Sequence, residues 1–92
     1  MPMLLADHHL KSFDTWIELF KTNPPPKAGR WRLFRGTDDP NRVYVIGDIG
    51  DSDIESVRAY FASDKMQNVF EAVNEESTSP IEFVWLEEVS PG

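Results

Sequence analysis

Two adjacent histidines, His8 and His9, stand within the first ten residues, and the chain contains no others. Imidazole, with an ordinary pKa of about 6.5, is the side chain best suited to moving a proton near neutral pH. His8 is therefore the candidate general base; its structural alternative is a strand histidine satisfied by a neighbouring group. Successive side chains of a regular strand point to opposite faces, so the adjacent pair does not readily grip one metal ion. With two histidines and no cysteine, a His-rich metal site, an iron–sulfur cluster and a thiol nucleophile are all excluded. The aromatic residues Trp31, Tyr44 and Tyr60 offer apolar walls with polar tips, suited to orienting a planar ligand. Core or interface packing is their other use, and Trp16 and Trp85 fit that use equally well. Five of the nine cationic residues (Lys27, Arg30, Arg32, Arg35 and Arg42) lie between positions 27 and 42. Arg32 or Arg35 could hold a carboxylate bidentately, or the group could form a solvated strand face.

Other motifs fail on spacing. Asp48, Asp51, Asp53 and Glu55 suggest calcium, but an EF-hand loop starting at Asp51 needs glycine where Ser56 stands and a carboxylate where Ala62 stands. Acidic residues at a helix start, favoured by the helix dipole, explain the run better. No nucleophile elbow, dinucleotide-binding glycine motif or phosphate-binding loop is present. No nucleotide cofactor or hydrolase triad is expected, and no other cofactor is implied.

The elements that must position these groups follow from periodicity. Met3 to Leu10 alternates, with Leu4, Ala6, His8 and Leu10 on one side and Leu5, Asp7 and His9 on the other, which predicts a strand. Ser12 occupies an N-cap position, and Phe13, Trp16, Ile17 and Phe20 recur at helical spacing, so a helix follows. It must stop near Asn23, because Pro24, Pro25 and Pro26 remove backbone donors and exclude helical angles before them. Arg30–Arg35 and Arg42–Asp48 are rich in aromatic and β-branched residues and read as an antiparallel pair. Asp39, Pro40 and Asn41 suit successive positions of the turn between them. Ser52 and Glu55 match a capping box opening a second helix. Its apolar face runs through Ile54, Val57, Tyr60 and Phe61, breaks or bends around Ser63-Asp64, and resumes with Met66, Val69, Phe70 and Val73. Asn74 to Ser79 reads as a loop. Pro80 to Val89 reads as a last strand, apolar enough on both faces to be buried from both sides.

The order β-α-β-β-α-β predicts a single α+β domain over residues 1–92, the ferredoxin-like arrangement of a four-stranded antiparallel sheet with helices on one face. A domain of 92 residues buries only about 60–68% of its unfolded surface, so self-association is a natural way to bury more. Apolar residues on the uncovered sheet face predict a homodimer packed sheet to sheet. The net charge of −7 opposes the phosphate backbone and argues against nucleic acid. No apolar run approaches the roughly 20 residues that span a bilayer, and no signal-peptide pattern opens the chain, so no membrane partner and a cytoplasmic location are expected.

Four segments, Leu5 to Trp16, Arg35 to Val43, Ala59 to Ser63 and Pro80 to Val89, resemble the dimeric α/β-barrel proteins. The closest likeness is to a small bacterial subfamily related to antibiotic-biosynthesis monooxygenases and polyketide cyclases. Its most specific parts are His8 with Phe13, Asp14 and Trp16 behind it, and Asp38 to Asn41 before the third strand. The resemblance implies a ferredoxin-like protomer whose sheet joins a second to close a barrel, with a ligand pocket in each protomer. It implies no single reaction. A cofactor-free oxygenase or cyclase acting on a small apolar or aromatic metabolite would use His8 to deprotonate a phenolic or enolic substrate, with Tyr44 or Arg32 orienting it. A non-catalytic dimeric ligand-binding or structural module is the alternative. The chain departs from the family after Phe20, where three prolines shorten the first helix, and it lacks the Asn, Trp and His constellation of the haem-degrading branch.

Overall fold

The computed structural model of the protein describes residues 2–91. Four strands, β1 (Pro2–Leu10), β2 (Arg30–Arg35), β3 (Arg42–Asp48) and β4 (Ser77–Glu87), form one antiparallel sheet in the spatial order β2-β3-β1-β4. Helices α1 (Phe13–Thr22), α2 (Ile54–Ala62) and α3 (Asp64–Glu75) complete the α+β, ferredoxin-like arrangement expected from the sequence. The one addition is that the second helix is two helices, divided where the sequence marks a break at Ser63.

Pairing fixes which side chains share a face. Leu4, Ala6 and His8 of β1 oppose Gly47, Val45 and Val43 of β3. These inner positions are buried, and with Leu10, Trp16 and Val73 they make the core beneath the helices. Met3, Leu5, Asp7 and His9 therefore look out from the other face, beside Asp48, Ile46, Tyr44 and Arg42.

Helix α1 starts where Ser12 predicts. Its hydroxyl accepts from the Thr15 amide at 3.4 Å, and Asn41 Oδ1, reaching over from the β2–β3 turn, accepts from the Phe13 amide at 3.0 Å. The turn itself closes as expected: the Arg42 amide donates to the Asp39 carbonyl at 3.0 Å, while Asp39 Oδ1 accepts from the Asn41 amide at 3.0 Å. At the other end of α1 the Asn23 amide and side-chain Nδ2 both donate to the Leu19 carbonyl, and the prolines begin.

Three local expectations are corrected. Ser52 and Glu55 form no capping box, because residues Asp51–Asp53 enter the helix through a 3₁₀ turn in which the Asp53 amide bonds to the Gly50 carbonyl, and the cap residue Asp53 makes no side-chain cap bond. The serine that does cap is Ser63. Its backbone is extended (φ −65°, ψ 153°), and its hydroxyl accepts from the Met66 amide and donates to the Tyr60 carbonyl, so one side chain closes α2 and opens α3. The loop expected at Asn74–Ser79 shrinks to Glu76, since α3 runs to Glu75 and β4 starts at Ser77. Polar side chains there bond backbone instead: Ser77 Oγ donates to the Val73 carbonyl, Thr78 Oγ1 donates to the His9 carbonyl, and Asn74 Oδ1 accepts from the Ile81 amide. Lastly, β4 is not buried from both sides. It is an edge strand, with Phe83 43% and Val84 42% exposed, because α3 covers its inner face only in part and nothing in the single chain covers its outer face.

Candidate functional site

Between the inner face of the sheet and the helices lies a cavity of about 70 Å³. Trp16, Phe20, Trp31, Val69 and Phe70 contribute to its walls, and His8 is the one titratable side chain on it. Strand alternation sets His8 there: it shares a face with Leu4 and Ala6, and the α1 stripe brings Trp16 against it, ring centroids 5.1 Å apart.

His8 is 6% exposed, and its Nδ1 is buried with no hydrogen-bond partner. Burial lowers the pKa to about 4, an effect the neighbouring Asp7 charge only partly offsets. The imidazole is therefore neutral at pH 7, with one nitrogen able to accept and the other able to donate. Asp7 does not orient the ring. Its carboxylate lies on the opposite face, where it accepts from Arg42 at 3.0 and 3.4 Å and sits 3.7 Å from His9 Nε2. Those bonds to Asp7 raise the Arg42 pKa above its ordinary value, and the guanidinium lies 5.3 Å from the Tyr44 ring centroid.

Trp31 joins His8 on the cavity. Its indole Nε1 donates to the Pro26 carbonyl at 2.9 Å, so the polyproline connector after α1 pins the ring. Gly47, the cross-strand partner of Trp31, gives it room: a Cβ at Gly47 would come within 2.5 Å of the indole. Gly29, at φ +125°, turns the connector into β2 in a conformation that favours glycine.

The other three residues named from the sequence lie elsewhere. Arg32 pairs in register with Ile46 and so projects from the outer face, its guanidinium 5.6 Å from the Phe34 ring. Tyr44 lies on that outer face too, between the buried Val43 and Val45. Tyr60 donates from its hydroxyl to the Pro24 carbonyl at 3.2 Å, tying α2 to the connector. The structure thus brings together His8 and Trp31 but not Arg32, Tyr44 or Tyr60. Sequence reading missed the far wall, made by Phe61, Phe70 and Phe83. Helical and strand spacing marked all three as apolar, but only the tertiary arrangement places them on one opening. Among the described residues no three His, Asp or Glu side chains come together to hold a metal ion, and no helix is long and apolar enough to cross a membrane.

No protein-family model matches the chain, and no curated protein matches it. Solved structures do. One described as an antibiotic biosynthesis monooxygenase superposes with a TM-score of 0.72 at 15% identity, over 98% of this chain and 100% of that one. A conserved protein from Methanosarcina mazei Go1 gives a TM-score of 0.75 at 12% identity, over 96% of this chain and 92% of that one. A Deinococcus radiodurans protein, provisionally described as an antibiotic biosynthesis monooxygenase, gives 0.72 at 8% identity, over 98% and 94%. These agree with the resemblance read from the sequence at the level of the fold.

Proposed function

We propose that the protein binds a small, mainly apolar, ring-bearing molecule in the cavity between sheet and helices, with His8 holding a polar group on the ring and Trp31 forming a wall. The observation that carries this reading is a buried, neutral imidazole with an unpartnered Nδ1, standing on a cavity whose walls are mainly apolar. A buried polar atom without a partner costs about 1–3 kcal/mol, a cost that a phenolic or enolic oxygen would remove. The space is roughly half the ~150 Å³ that admits benzene in an engineered apolar cavity, so a ring enters only when a wall such as Phe70 turns aside.

As an enzyme it would be a cofactor-free oxygenase or cyclase, with His8 taking the substrate proton. The lowered pKa works against that step. For a phenol near pKa 10, transfer to a base near 4 is uphill by about six units, or about 8 kcal/mol. The ground-state site therefore favours binding and orientation through His8, which supports the non-catalytic ligand-binding alternative. Catalysis requires the bound anion to pull the imidazolium pKa upward.

The second element of the proposal is a homodimer. The outer sheet face carries Met3, Leu5, Ile46, Phe34, Val84 and Leu86, a contiguous apolar surface that monomers rarely expose. Arg32 and Tyr44 then belong to this interface and not to the pocket. The absence of cysteine supports a cytoplasmic setting.

The test combines native mass spectrometry with a titration of substituted phenols followed by NMR. A dimer near twice 10.6 kDa, and phenol binding about tenfold weaker in His8→Ala than in the natural sequence, support the reading. Oxygen uptake that disappears in His8→Ala would select the enzyme. Phenols that bind both proteins equally overturn the role of His8, and a clean monomer overturns the dimer.

A further inference from the structure

Beyond the wall of the His8 cavity the surface opens into a groove of about 500 Å³ between β4 and the α2–α3 pair. Three phenylalanines from three elements separate the two spaces and line both: Phe61 of α2, Phe70 of α3 and Phe83 of β4. Their ring centroids lie 5.2 to 5.9 Å apart, a mutual contact with no polar group between the rings. Phe61 and Phe70 are half-buried and Phe83 is exposed, so each can turn outward without breaking a hydrogen bond. With Leu4 and Ile81, which also line both spaces, they form the partition between them.

The groove differs from the cavity in its charge. Its lining includes one cation, Arg58, and no carboxylate. The Arg58 guanidinium lies 5.2 Å from the Trp85 ring centroid, which holds it over the groove. Its one ionic neighbour, Glu55, is 3.7 Å away and 88% exposed, a screened pair that a ligand carboxylate can displace at little cost.

We propose that cavity and groove are two halves of one binding site, which selects molecules whose hydroxyl-bearing ring sits behind the three phenylalanines against His8 while a carboxylate on a short aliphatic chain rests on Arg58. This rests on the cavity reading above and adds a substrate class to it: aryl-alkanoates and related amphipathic carboxylates. With the partition turned aside the space behind it takes the ring, the groove takes the chain, and the groove's cation supplies the anion preference in a chain whose net charge is −7.

The probes are 4-(4-hydroxyphenyl)butyrate and its uncharged amide, titrated by NMR at pH 7 and low salt into the natural protein, Arg58→Gln and Arg58→Lys. Both probes are expected to shift the His8 ring resonances, with the carboxylate bound about two- to fivefold more tightly, the range that an exposed ion pair provides. Arg58→Gln should abolish that preference and Arg58→Lys should retain it. Equal affinity for acid and amide in the natural protein would overturn the Arg58 assignment while leaving the cavity reading in place. If neither probe shifts His8, both fall. If the Phe83 and Trp85 resonances instead move with protein dilution before any ligand is added, a second copy covers the groove and the proposal is wrong.

Discussion

Replacing His8 by glutamine, neutral at every pH, should remove a specific part of the acid sensitivity of the fold. The folded-state pKa of His8 is about 4, below the ordinary value of 6.5 that the unfolded chain shows. For a depressed histidine the sign is fixed: its contribution to stability is fully present above pH 6.5 and is lost as the pH falls toward 4, because the unfolded chain binds the proton first. The full difference of 2.5 units corresponds to about 3 kcal/mol. Integrated from pH 7, the loss is about 1 kcal/mol at pH 5.5 and about 2 kcal/mol at pH 4.5. The effect is large against the 5–15 kcal/mol that stabilises an ordinary domain. Urea unfolding at fixed protein concentration, from pH 7 to 4.5, measures it as the difference in slope between the two proteins. Fixed concentration matters because any dimer would make the midpoint concentration-dependent. Carboxylates contribute equally to both proteins and cancel. Parallel stability profiles for the natural chain and His8→Gln would refute the burial argument, as would an NMR titration placing the His8 pKa near 6.5.

Other outcomes test the surroundings of the site. Gly47→Ala should destabilise the protein by about 1–3 kcal/mol, the usual cost of overpacking, because the new methyl meets an indole already pinned to Pro26; an unchanged denaturation midpoint would show that Trp31 is free to move. Ser63→Ala should cost about 1 kcal/mol through the lost cap of α3, whereas Ser52→Ala should be close to neutral, and thermal melts of the two variants decide between them. Leu5→Asp, on the outer sheet face, should convert the proposed dimer to a monomer in sedimentation analysis and leave the circular dichroism of the helices intact; a persistent dimer would move the interface elsewhere.

How far the sequence determined these features depends on whether the signal is local. The α1 stripe, the proline stop and the Asp39-Pro40-Asn41 turn are set by neighbours within a few residues, and they appear where the sequence predicts. The capping box at Ser52 was local too, yet it failed, because the 3₁₀ turn closed by Gly50 and Asp53 takes Ser52 out of the extended conformation a cap requires. Ser63 lacks the partner glutamate of that motif and was legible only as a break. The burial of β4 was not legible at all, since composition shows that Phe83 and Val84 are apolar but not that the strand lies at an edge. The site divides in the same way. Alternation along β1 placed His8 with Leu4 and Ala6 from the sequence alone. Tyr44 could have been assigned to the outer face by the same alternation, given the buried Val43 and Val45 beside it, but Arg32 needed the β2–β3 register.

Packing alone does not account for an imidazole at position 8. An apolar residue of similar volume would fill the same place against Trp16, would leave no orphaned nitrogen, and would remove the acid sensitivity worked out above. A 92-residue domain with a limited core has little stability to spare for such a group. Asp7 and His9, one step along the strand on either side, turn to the open face, where Asp7 bonds Arg42 and His9 is partly exposed, so the strand itself does not force an unpaired polar group inward. On the proposed reading a ligand in the cavity brings a polar atom to the imidazole, and the mainly apolar walls favour a molecule that is itself mostly apolar.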